Sequence, residues 1–169
     1  VPVGGSSALG AYAFVEAASE IVGDYDYVVT CCSSGSTHAG LAYALHGSST
    51  KVVGIAADPE EDLVDDLVRL CEGLDLITGL GKRLQKADFD LRFDWVGPGY
   101  GVATVEGIEA MKLASRQEGI LLDPVYTAKA FAGLLGLVQR GEIGGKVLFW
   151  HTGGVPSLGA MDDSMLEVT

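Results

Sequence analysis

Short apolar segments alternate with helical patterns along this chain, and the alternation restricts it to one class of fold. Four segments have the composition of strands: 27–31, 51–56, 89–95 and 146–150. Three are apolar runs typical of buried strands, and the third in order alternates apolar and charged residues, as a half-exposed strand does. Helices are predicted at 6–22, 38–45, 58–71, 104–118 and 123–140. This order predicts an α/β fold of three layers, in which helices flank a mostly parallel sheet.

The length and composition suit one domain with one substantial core. The chain has 169 residues, of which 48% are hydrophobic, and no internal repeat or Pro/Ser-rich linker divides it. Its 24 glycines are about twice the usual share and indicate many tight turns. No apolar run approaches the roughly 20 residues of a membrane-spanning helix. We therefore expect no membrane partner.

The charge balance argues against nucleic acid as a partner. Lysine and arginine total 11 against 23 acidic residues, so the formal net charge is −12. Nucleic acids and anionic membrane surfaces both require clustered cations. The simplest interpretation is a solvated acidic surface.

The three cysteines indicate a reducing compartment. Cys31, Cys32 and Cys71 are an odd number in a sequence without a signal peptide, which favours the cytoplasm. Adjacent Cys31 and Cys32 lack the spacing of a zinc site, and no Cys/His cluster completes one. We expect buried thiols and no metal.

A small polar turn, Ser33-Ser34-Gly35-Ser36-Thr37, separates the first predicted strand from the helix that follows. Main-chain N–H groups at the start of a helix have no acceptor within the helix, and the helix dipole is positive there. Serine and threonine hydroxyls add donors, and Gly35 allows close approach to the main chain. The turn therefore predicts a site for a phosphate group.

Two common phosphate-binding motifs do not match this turn. A P-loop ends in Gly-Lys-Ser/Thr, and no lysine follows Gly40. A dinucleotide fingerprint needs three glycines spaced G-x-G-x-x-G, whereas the turn contains only Gly35 and Gly40. Alone, a turn of this composition is as typical of an ordinary helix cap as of a ligand site. The interpretation depends on motifs elsewhere in the chain.

Three further motifs follow in order. They are Gly97-Pro98-Gly99-Tyr100-Gly101-Val102, Gly119-Ile120-Leu121-Leu122-Asp123-Pro124-Val125-Tyr126-Thr127-Ala128-Lys129-Ala130 and His151-Thr152-Gly153-Gly154. With the Ser34–Gly40 segment, they closely resemble the D-cysteine desulfhydrase and 1-aminocyclopropane-1-carboxylate deaminase family of pyridoxal-phosphate enzymes. The opening Pro2–Gly10 is also similar to the segment at which that family's chain re-enters the large domain. The resemblance covers nearly all of the chain and implies the large-domain part of a tryptophan-synthase-β-like fold.

The resemblance implies pyridoxal 5'-phosphate as the cofactor. The cofactor-binding residues would be Ser34, Gly35, Ser36, Thr37, Thr127 and Thr152. Of these, Ser34 to Thr37 would hold the phosphate, and Thr152 would hydrogen-bond the pyridine nitrogen. This agrees with the phosphate site predicted from the turn itself.

Tyr100 and Tyr126 would be the catalytic residues of such an enzyme, contacting the substrate and assisting proton transfer. A pyridoxal cation nearby is expected to lower the pKa of a tyrosine enough for it to act as a base. The alternative for each is a packed aromatic ring whose hydroxyl is satisfied by the protein.

Residue 127 distinguishes two branches of the family. The deaminase branch, which opens a cyclopropane ring, carries glutamate after the tyrosine, whereas Thr127 fits the D-cysteine desulfhydrase side. The resemblance therefore implies α,β-elimination from a small sulfur amino acid, giving pyruvate, ammonia and sulfide or sulfite. Aminocyclopropane-carboxylate deamination is the alternative.

Three other residues beside the motifs are expected to be structural. His38 and His151 each adjoin a motif, and a histidine near a phosphate can neutralise charge. Helix or turn histidines with structural contacts are nevertheless commoner. Asp123 is expected to cap the helix that starts at Pro124 and not to act as a catalytic acid.

The family's Schiff-base lysine has no counterpart here. Enzymes of this kind hold the cofactor through a lysine, and none of the six lysines lies in a matching motif. We expect residues 1–169 to be a single α/β PLP-binding domain fragment that lacks the small domain and the N-terminal segment with that lysine. Its partners would be a small amino-acid substrate and either a second copy or the missing part.

Two function classes remain open from the sequence. One is a pyridoxal-phosphate lyase whose remaining part lies elsewhere. The other is a non-catalytic fragment that binds a phosphorylated metabolite, and a flavodoxin-like nucleotide binder is the fallback if the motifs mislead.

Overall fold

The computed structural model describes residues 2–60 and 62–161. Its helices are α1 (Ala8–Ala17), α2 (Ser36–Leu45), α3 (Leu63–Thr78), α4 (Val105–Glu118) and α5 (Thr127–Gln139). Its strands are β1 (Tyr27–Cys32), β2 (Lys51–Ala56), β3 (Asp90–Arg92) and β4 (Val147–Trp150). Short 3-10 turns lie at Val3–Gly5, Ala18–Glu20, Lys86–Asp88 and Val155–Ala160.

The described strands form one parallel sheet in the order β3-β2-β1-β4. Tyr27, at the start of β1, is in register with Lys51 on β2 and with Val147 on β4. The segment between each strand and the next in sequence contains at least one helix, as parallel pairing requires. The predicted α/β class with a parallel sheet is confirmed.

Alternate side chains of the central strands divide the core into two halves. Cys32 and Ala56 point to the side of α1, α2 and α3, where Leu67 and Tyr43 are buried. Cys31 and Ile55 point to the opposite side, against α5. A strand buried on both faces is continuously apolar for this reason. The three predicted layers are therefore present.

Within the described residues, the longest helix, α3, has 16 residues, and none has the length and apolar character that crossing a membrane requires.

Two helices begin after a residue whose side chain caps the first turn. Ser7 caps α1 by accepting a hydrogen bond from the N–H of Gly10 at 3.1 Å, and Thr104 caps α4 by accepting one from the N–H of Gly107 at 3.0 Å. α1 itself ends at Ala17 and continues only as a 3-10 turn to Glu20, so the predicted end near residue 22 is wrong.

The predicted start of α3 at Asp58 is wrong. The helix begins at Leu63, after Asp62, which makes no side-chain capping bond. Glu61, which the prediction used as the third helical residue, lies outside the described residues. Asp58 and Pro59 belong instead to the connection from β2. Leu63 is fully buried, so the helix starts where its apolar face first reaches the core.

The third predicted strand is shorter than its alternating pattern indicates. Only Asp90–Arg92 pairs with β2, whereas the pattern runs on to Trp95. Trp95 leaves the sheet to pack against Gly136 of α5, beneath the Arg140 guanidinium, which lies 4.7 Å from the ring centroid. Burial of the indole competes with extension of the strand.

His38 is a core residue of α2. Its ring is fully buried, packs edge-on against Phe89 with centroids 5.8 Å apart, and occupies the space that a side chain on Gly54 would need. Neither ring nitrogen has a hydrogen-bond partner within the described chain. Burial lowers the pKa of His38 to about 4, although Asp90 acts in the opposite direction.

This burial predicts that stability depends on pH. Between its ordinary pKa of 6.5 and about 4, the unfolded state takes up a proton that folded His38 refuses, so the free energy of unfolding falls as the pH is lowered through that range. The full effect is roughly 3 kcal/mol. We expect urea unfolding to show that the free energy of unfolding lost between pH 7 and pH 5 is about 2 kcal/mol smaller in His38→Leu than in the unmodified chain.

The control for that experiment is His46→Gln, because His46 is exposed. Its dependence of stability on pH should equal that of the unmodified chain. Equal pH slopes for His38→Leu and the unmodified chain would contradict the prediction.

Candidate functional site

The strand order opens a cleft at the carboxyl ends of β1 and β4. From β1 the chain moves to β2 on one side, whereas β4 lies on the other side. The connections after β1 and β4 therefore diverge, which is where parallel α/β sheets bind ligands. The cleft has a volume of about 290 Å³. It is lined by Val3, Gly4, Cys31, Ser33, Ser34, Gly35, Ser36, Thr37, Tyr100, Tyr126, Thr152 and Gly154.

The polar turn after β1 presents donors to this cleft. α2 begins at Ser36, two residues before the predicted start. The N–H of Ala39 bonds to the carbonyl of Gly35 at 2.9 Å, which leaves the first amides of the helix without a helical acceptor. The hydroxyl of Ser36 is buried and has no partner within the described residues. This group of donors is suited to an anion.

Gly35 is needed for the shape of the turn. Its φ is +90°, in the left-handed region that favours glycine. A Cβ there would also lie 3.1 Å from the Leu67 side chain and 3.3 Å from that of Leu70. A substituent would therefore point toward α3 and not into the cleft.

The first residues of the chain hold the turn from outside. The Ser6 hydroxyl donates to the carbonyl of Ser34 at 2.5 Å. Gly4 lies so close to the Ser34 side chain that a Cβ would overlap it. The Val3–Gly5 turn thereby becomes one wall of the cleft, a role that the sequence analysis did not predict.

Tyr100 and Tyr126 meet across the cleft. Their hydroxyl groups are hydrogen-bonded to each other, and their ring centroids lie 5.9 Å apart in an edge-on arrangement. Tyr100 is 52% exposed, and Tyr126 is half-buried just before α5.

In this arrangement the pKa of Tyr126 is raised and not lowered. The hydrogen bond to Tyr100 is the largest cause, followed by burial and by the charge that Tyr100 would carry. The two phenols share one hydrogen bond. The expected lowering by a pyridoxal cation remains a prediction for the bound state.

The Asp123 carboxylate organises the turn before α5. One oxygen accepts the N–H groups of Val125 and Tyr126 at 2.9 and 2.8 Å. The other accepts the N–H and the hydroxyl of Thr127 at 2.8 and 2.6 Å. The Asp123 side chain thus satisfies amides before and at the start of the helix, but α5 starts at Thr127 with Tyr126 as its N-cap residue, so the prediction of Asp123 as N-cap and Pro124 as first helical residue is wrong. The three residues after Asp123 form a turn because its carboxylate accepts the N–H groups of Val125, Tyr126 and Thr127.

Thr127 is the one predicted site residue that does not line the cleft. It is fully buried, and its hydroxyl both donates to Asp123 and accepts the Asp123 N–H at 2.8 Å. Its predicted contact with a cofactor remains a prediction.

The turn after β4 brings Thr152 to the cleft. Thr152 is exposed at the rim. Next to it, His151 accepts the Gly153 N–H on Nδ1 at 3.0 Å, so Nε2 carries the proton and donates to the Leu121 carbonyl at 2.9 Å. Both bonds join main-chain segments, and His151, like buried His38, has a structural role, as expected.

Gly154 connects this turn to Asp123. A Cβ on Gly154 would overlap the Asp123 carboxylate, so the absence of a side chain allows the two segments to pack together. The Thr152 turn and the turn that carries Tyr126 are therefore held against each other.

Cys31 forms part of the cleft wall. It is buried, and burial, with smaller effects of Cys32 and Asp123, raises the pKa of its thiol well above the usual value. All three cysteines are free and buried. In the described part of the chain no three His, Cys, Asp or Glu side chains are grouped so that they could hold a metal ion.

None of the six lysines of the sequence lines the cleft. Lys82 donates to the carbonyls of Tyr43 and Ala44 at 2.6 and 3.1 Å. Lys86 and Lys112 pair with carboxylates. Lys51 and Lys146 lie over tyrosine rings. The sixth, Lys129, is buried in α5.

A known protein family and a known protein match this chain in sequence. The family described as "Pyridoxal-phosphate dependent enzyme" matches residues 3–153. D-cysteine desulfhydrase of Klebsiella pneumoniae (strain 342) is 41% identical over 166 residues, which are 94% of this chain and 51% of that protein.

Solved structures also match the fold. The crystal structure of an ACC deaminase homologue superposes with a TM-score of 0.91 at 33% identity, covering 100% of this chain and 53% of that one. An O-ureido-L-serine-bound mutant of O-ureido-L-serine synthase has a TM-score of 0.57 at 16% identity, covering 95% of this chain and 50% of that one, and so resembles it in fold alone.

The chain thus spans about half the length of the D-cysteine desulfhydrase and of the ACC deaminase homologue. The family match covers most of the sequence, and one relative exceeds 40% identity. The expected resemblance, the fold and pyridoxal phosphate as the family's cofactor are confirmed. The chain belongs to the family of pyridoxal-phosphate dependent enzymes.

Proposed function

We propose that this chain is the phosphate-binding and tyrosine-bearing part of a pyridoxal-phosphate lyase of the D-cysteine desulfhydrase type. The reaction removes a proton at Cα of a small sulfur amino acid and expels the sulfur group from Cβ. With D-cysteine, hydrolysis then gives pyruvate, ammonia and sulfide. The convergence of the Ser34–Thr37 turn, the two tyrosines and Thr152 on one cleft carries this proposal.

The donors of the turn fit the phosphate of the cofactor. Ser36 has a buried hydroxyl without a partner in the described part of the chain, and such a group costs free energy unless a ligand satisfies it. The adjoining helix amides supply further donors of the same kind. Ser34, Gly35, Ser36 and Thr37 would hold the phosphate, and the Thr152 hydroxyl would meet the ring nitrogen. When bound, the cofactor supplies an electron-withdrawing ring that stabilises negative charge at Cα.

The tyrosine pair would move the proton. Its two hydroxyls are linked, so a proton accepted by one oxygen can be passed through the other. The raised pKa of Tyr126 keeps its phenol protonated near neutrality, which suits donation. Action as a base requires a nearby positive charge that lowers the pKa.

Thr127 supports the sulfur branch over the deaminase branch. Its hydroxyl makes two hydrogen bonds with Asp123 in a fully buried position. A glutamate at 127 would place a second carboxylate beside the buried carboxylate of Asp123, which is costly. The 33% identity to the ACC deaminase homologue keeps deamination of aminocyclopropane-carboxylate as the second candidate.

We also propose that the lysine that binds the cofactor covalently comes from polypeptide outside these 169 residues. The support is that none of the six lysines lines the cleft. The proposed docking site for that polypeptide is β4. It is the last strand of the described sheet, its residues are only half-buried, and an edge strand offers free main-chain groups for pairing. A homodimer and a cytoplasmic location remain predictions.

The chain alone should bind pyridoxal phosphate weakly and without a covalent bond. We expect borohydride treatment of the mixture to give no stable lysine adduct by mass spectrometry, and no pyruvate from D-cysteine, because no lysine reaches the cleft. An adduct at one specific lysine with release of pyruvate would contradict this.

Turnover should return when the missing half is supplied. We expect a fusion of this chain to the unmatched half of the Klebsiella pneumoniae D-cysteine desulfhydrase to release pyruvate from D-cysteine. Tyr126→Phe in the fusion should lower kcat at least about 100-fold, the usual size of a general acid–base contribution. Tyr25→Phe is the matched control, since Tyr25 lies under Lys146 and not at the cleft.

Two results of that experiment would change the proposal. A fusion that processes only aminocyclopropane-carboxylate would show the deaminase to be correct. A folded fusion that binds pyridoxal phosphate and turns over neither substrate would favour the non-catalytic binding module.

Ser36→Ala should weaken binding of pyridoxal phosphate to the chain roughly 10-fold, because one hydrogen bond to a charged group is lost. Affinity for pyridoxal, which lacks the phosphate, should not change. Without ligand the variant should be as stable as the unmodified chain or more so, since an unpaired buried hydroxyl is removed. Calorimetric titration measures the affinities, with exposed Ser115→Ala as control. Equal losses for both ligands would exclude Ser36 as a phosphate contact.

A further inference from the structure

Lys129 is fully buried although it carries a charge. It lies in α5, and its exposed fraction is 0%. None of the ion pairs in the described part of the chain includes it. A buried ammonium without a carboxylate is rare, because the charge must be compensated by dipoles.

Three main-chain carbonyls provide that compensation. The ammonium donates to the carbonyl of Val96 at 2.8 Å, to that of Gly99 at 2.9 Å and to that of Ala57 at 3.4 Å. A lysine ammonium has three N–H donors and no acceptor, so all of its hydrogen-bonding capacity is used. The three acceptors come from two segments, the end of β2 and the loop after β3.

The three carbonyls favour the charged form of Lys129 against the cost of burial. Burial lowers the pKa of Lys129, whereas Cys31 and Asp58 act in the opposite direction. A neutral amine would have only two donors for three carbonyls. The geometry thus resembles a cation site made of carbonyl oxygens, in which the cation is tethered to the protein.

The loop that Lys129 contacts carries Tyr100. Gly97, Gly99 and Gly101 have φ values of +69°, +156° and +76°, and a loop with three such glycines loses much conformational entropy when it is ordered. Lys129 bonds to the carbonyl of Gly99, whose carbon forms the peptide bond to Tyr100. The position of the Tyr100 hydroxyl beside Tyr126 therefore depends on a contact outside the cleft.

We propose that Lys129 is a positioning residue: its ammonium acts as a tethered monovalent cation that holds the 97–101 loop and thereby sets the Tyr100–Tyr126 pair. The proposal deepens the proposed function and rests on it for the role of Tyr100. It also assigns a ligand class to the carbonyl site, a primary alkylammonium with N–H donors.

The first test is hydrogen exchange of the free chain, which requires neither cofactor nor turnover. Lys129→Met keeps an unbranched apolar stem but removes the ammonium charge. We expect β1 and β2 to retain their protection in the folded variant, while exchange of amides 97–102 accelerates at least 10-fold. Unchanged exchange of the loop in folded Lys129→Met would overturn the proposal.

The second test is chemical rescue of Lys129→Ala. The deleted atoms correspond to n-propylammonium, which should restore loop protection in a saturable manner. Tetramethylammonium, which lacks N–H donors, and n-propanol, which lacks the charge, should not do so. The control Lys112→Ala removes an exposed lysine that pairs with Glu109 and should neither loosen the loop nor respond to propylammonium.

A third measurement separates positioning from general support of the core. In the active fusion, Lys129→Ala should lower kcat with little change in KM, and propylammonium should restore kcat. If both variants unfold and propylammonium does not refold Lys129→Ala, the proposal is overturned, because Lys129 would then support the core and not the loop. If the fusion is inactive, the exchange and rescue results still decide the role of Lys129, so the two proposals fail separately.

Discussion

Parallel pairing of β1 with a neighbour on each side is the constraint on which the cleft depends. Because β2 and β4 lie on opposite sides of β1, the connections after β1 and β4 separate and leave the start of α2 uncovered. The helix amides without a helical acceptor and the buried Ser36 hydroxyl then face a space that is suited to an anion. The site proposed for the phosphate is thus placed by the topology of the sheet, and its side chains refine it.

Two buried charges outside the phosphate turn determine the geometry of the tyrosines. The Asp123 carboxylate gathers the amides around Tyr126, and the Lys129 ammonium gathers carbonyls around the Tyr100 loop. The carboxylate therefore orders N–H donors, and the ammonium orders carbonyl acceptors. Asp123 lies just before α5 and Lys129 lies within its first turns. Charges satisfied by main-chain dipoles are rigid, because each lost hydrogen bond would leave a buried group unpaired. This arrangement explains how two tyrosines 26 residues apart meet at hydrogen-bonding distance.

Much of the fold could be predicted from the sequence, because its signals are local. The apolar strands and the Ser7 and Thr104 caps require only neighbouring residues. The starts of α3 and α5 could not be predicted, because they depend on where Leu63 reaches the core and on how the Asp123 carboxylate holds the following turn. The same holds for Trp95, whose burial against Gly136 ends the third strand early. For α3 and the third strand a tertiary contact outweighed a local propensity, whereas for α5 a local side-chain turn did so.

By itself the sequence determined the order of strands and helices, the composition of the phosphate turn and the motifs that indicate the family, since these are properties of consecutive residues. Only the tertiary structure decided that Thr127 is turned toward Asp123 and away from the cleft, that Cys31 and Gly4 form its walls, and that Lys129 binds three carbonyls. The cleft walls and the Lys129 contacts depend on residues distant in sequence that meet only after the sheet has formed, whereas the Thr127–Asp123 contact joins residues four positions apart. The carbonyl groups that Lys129 binds are common to every residue, so no sequence pattern can indicate which of them a buried charge will reach.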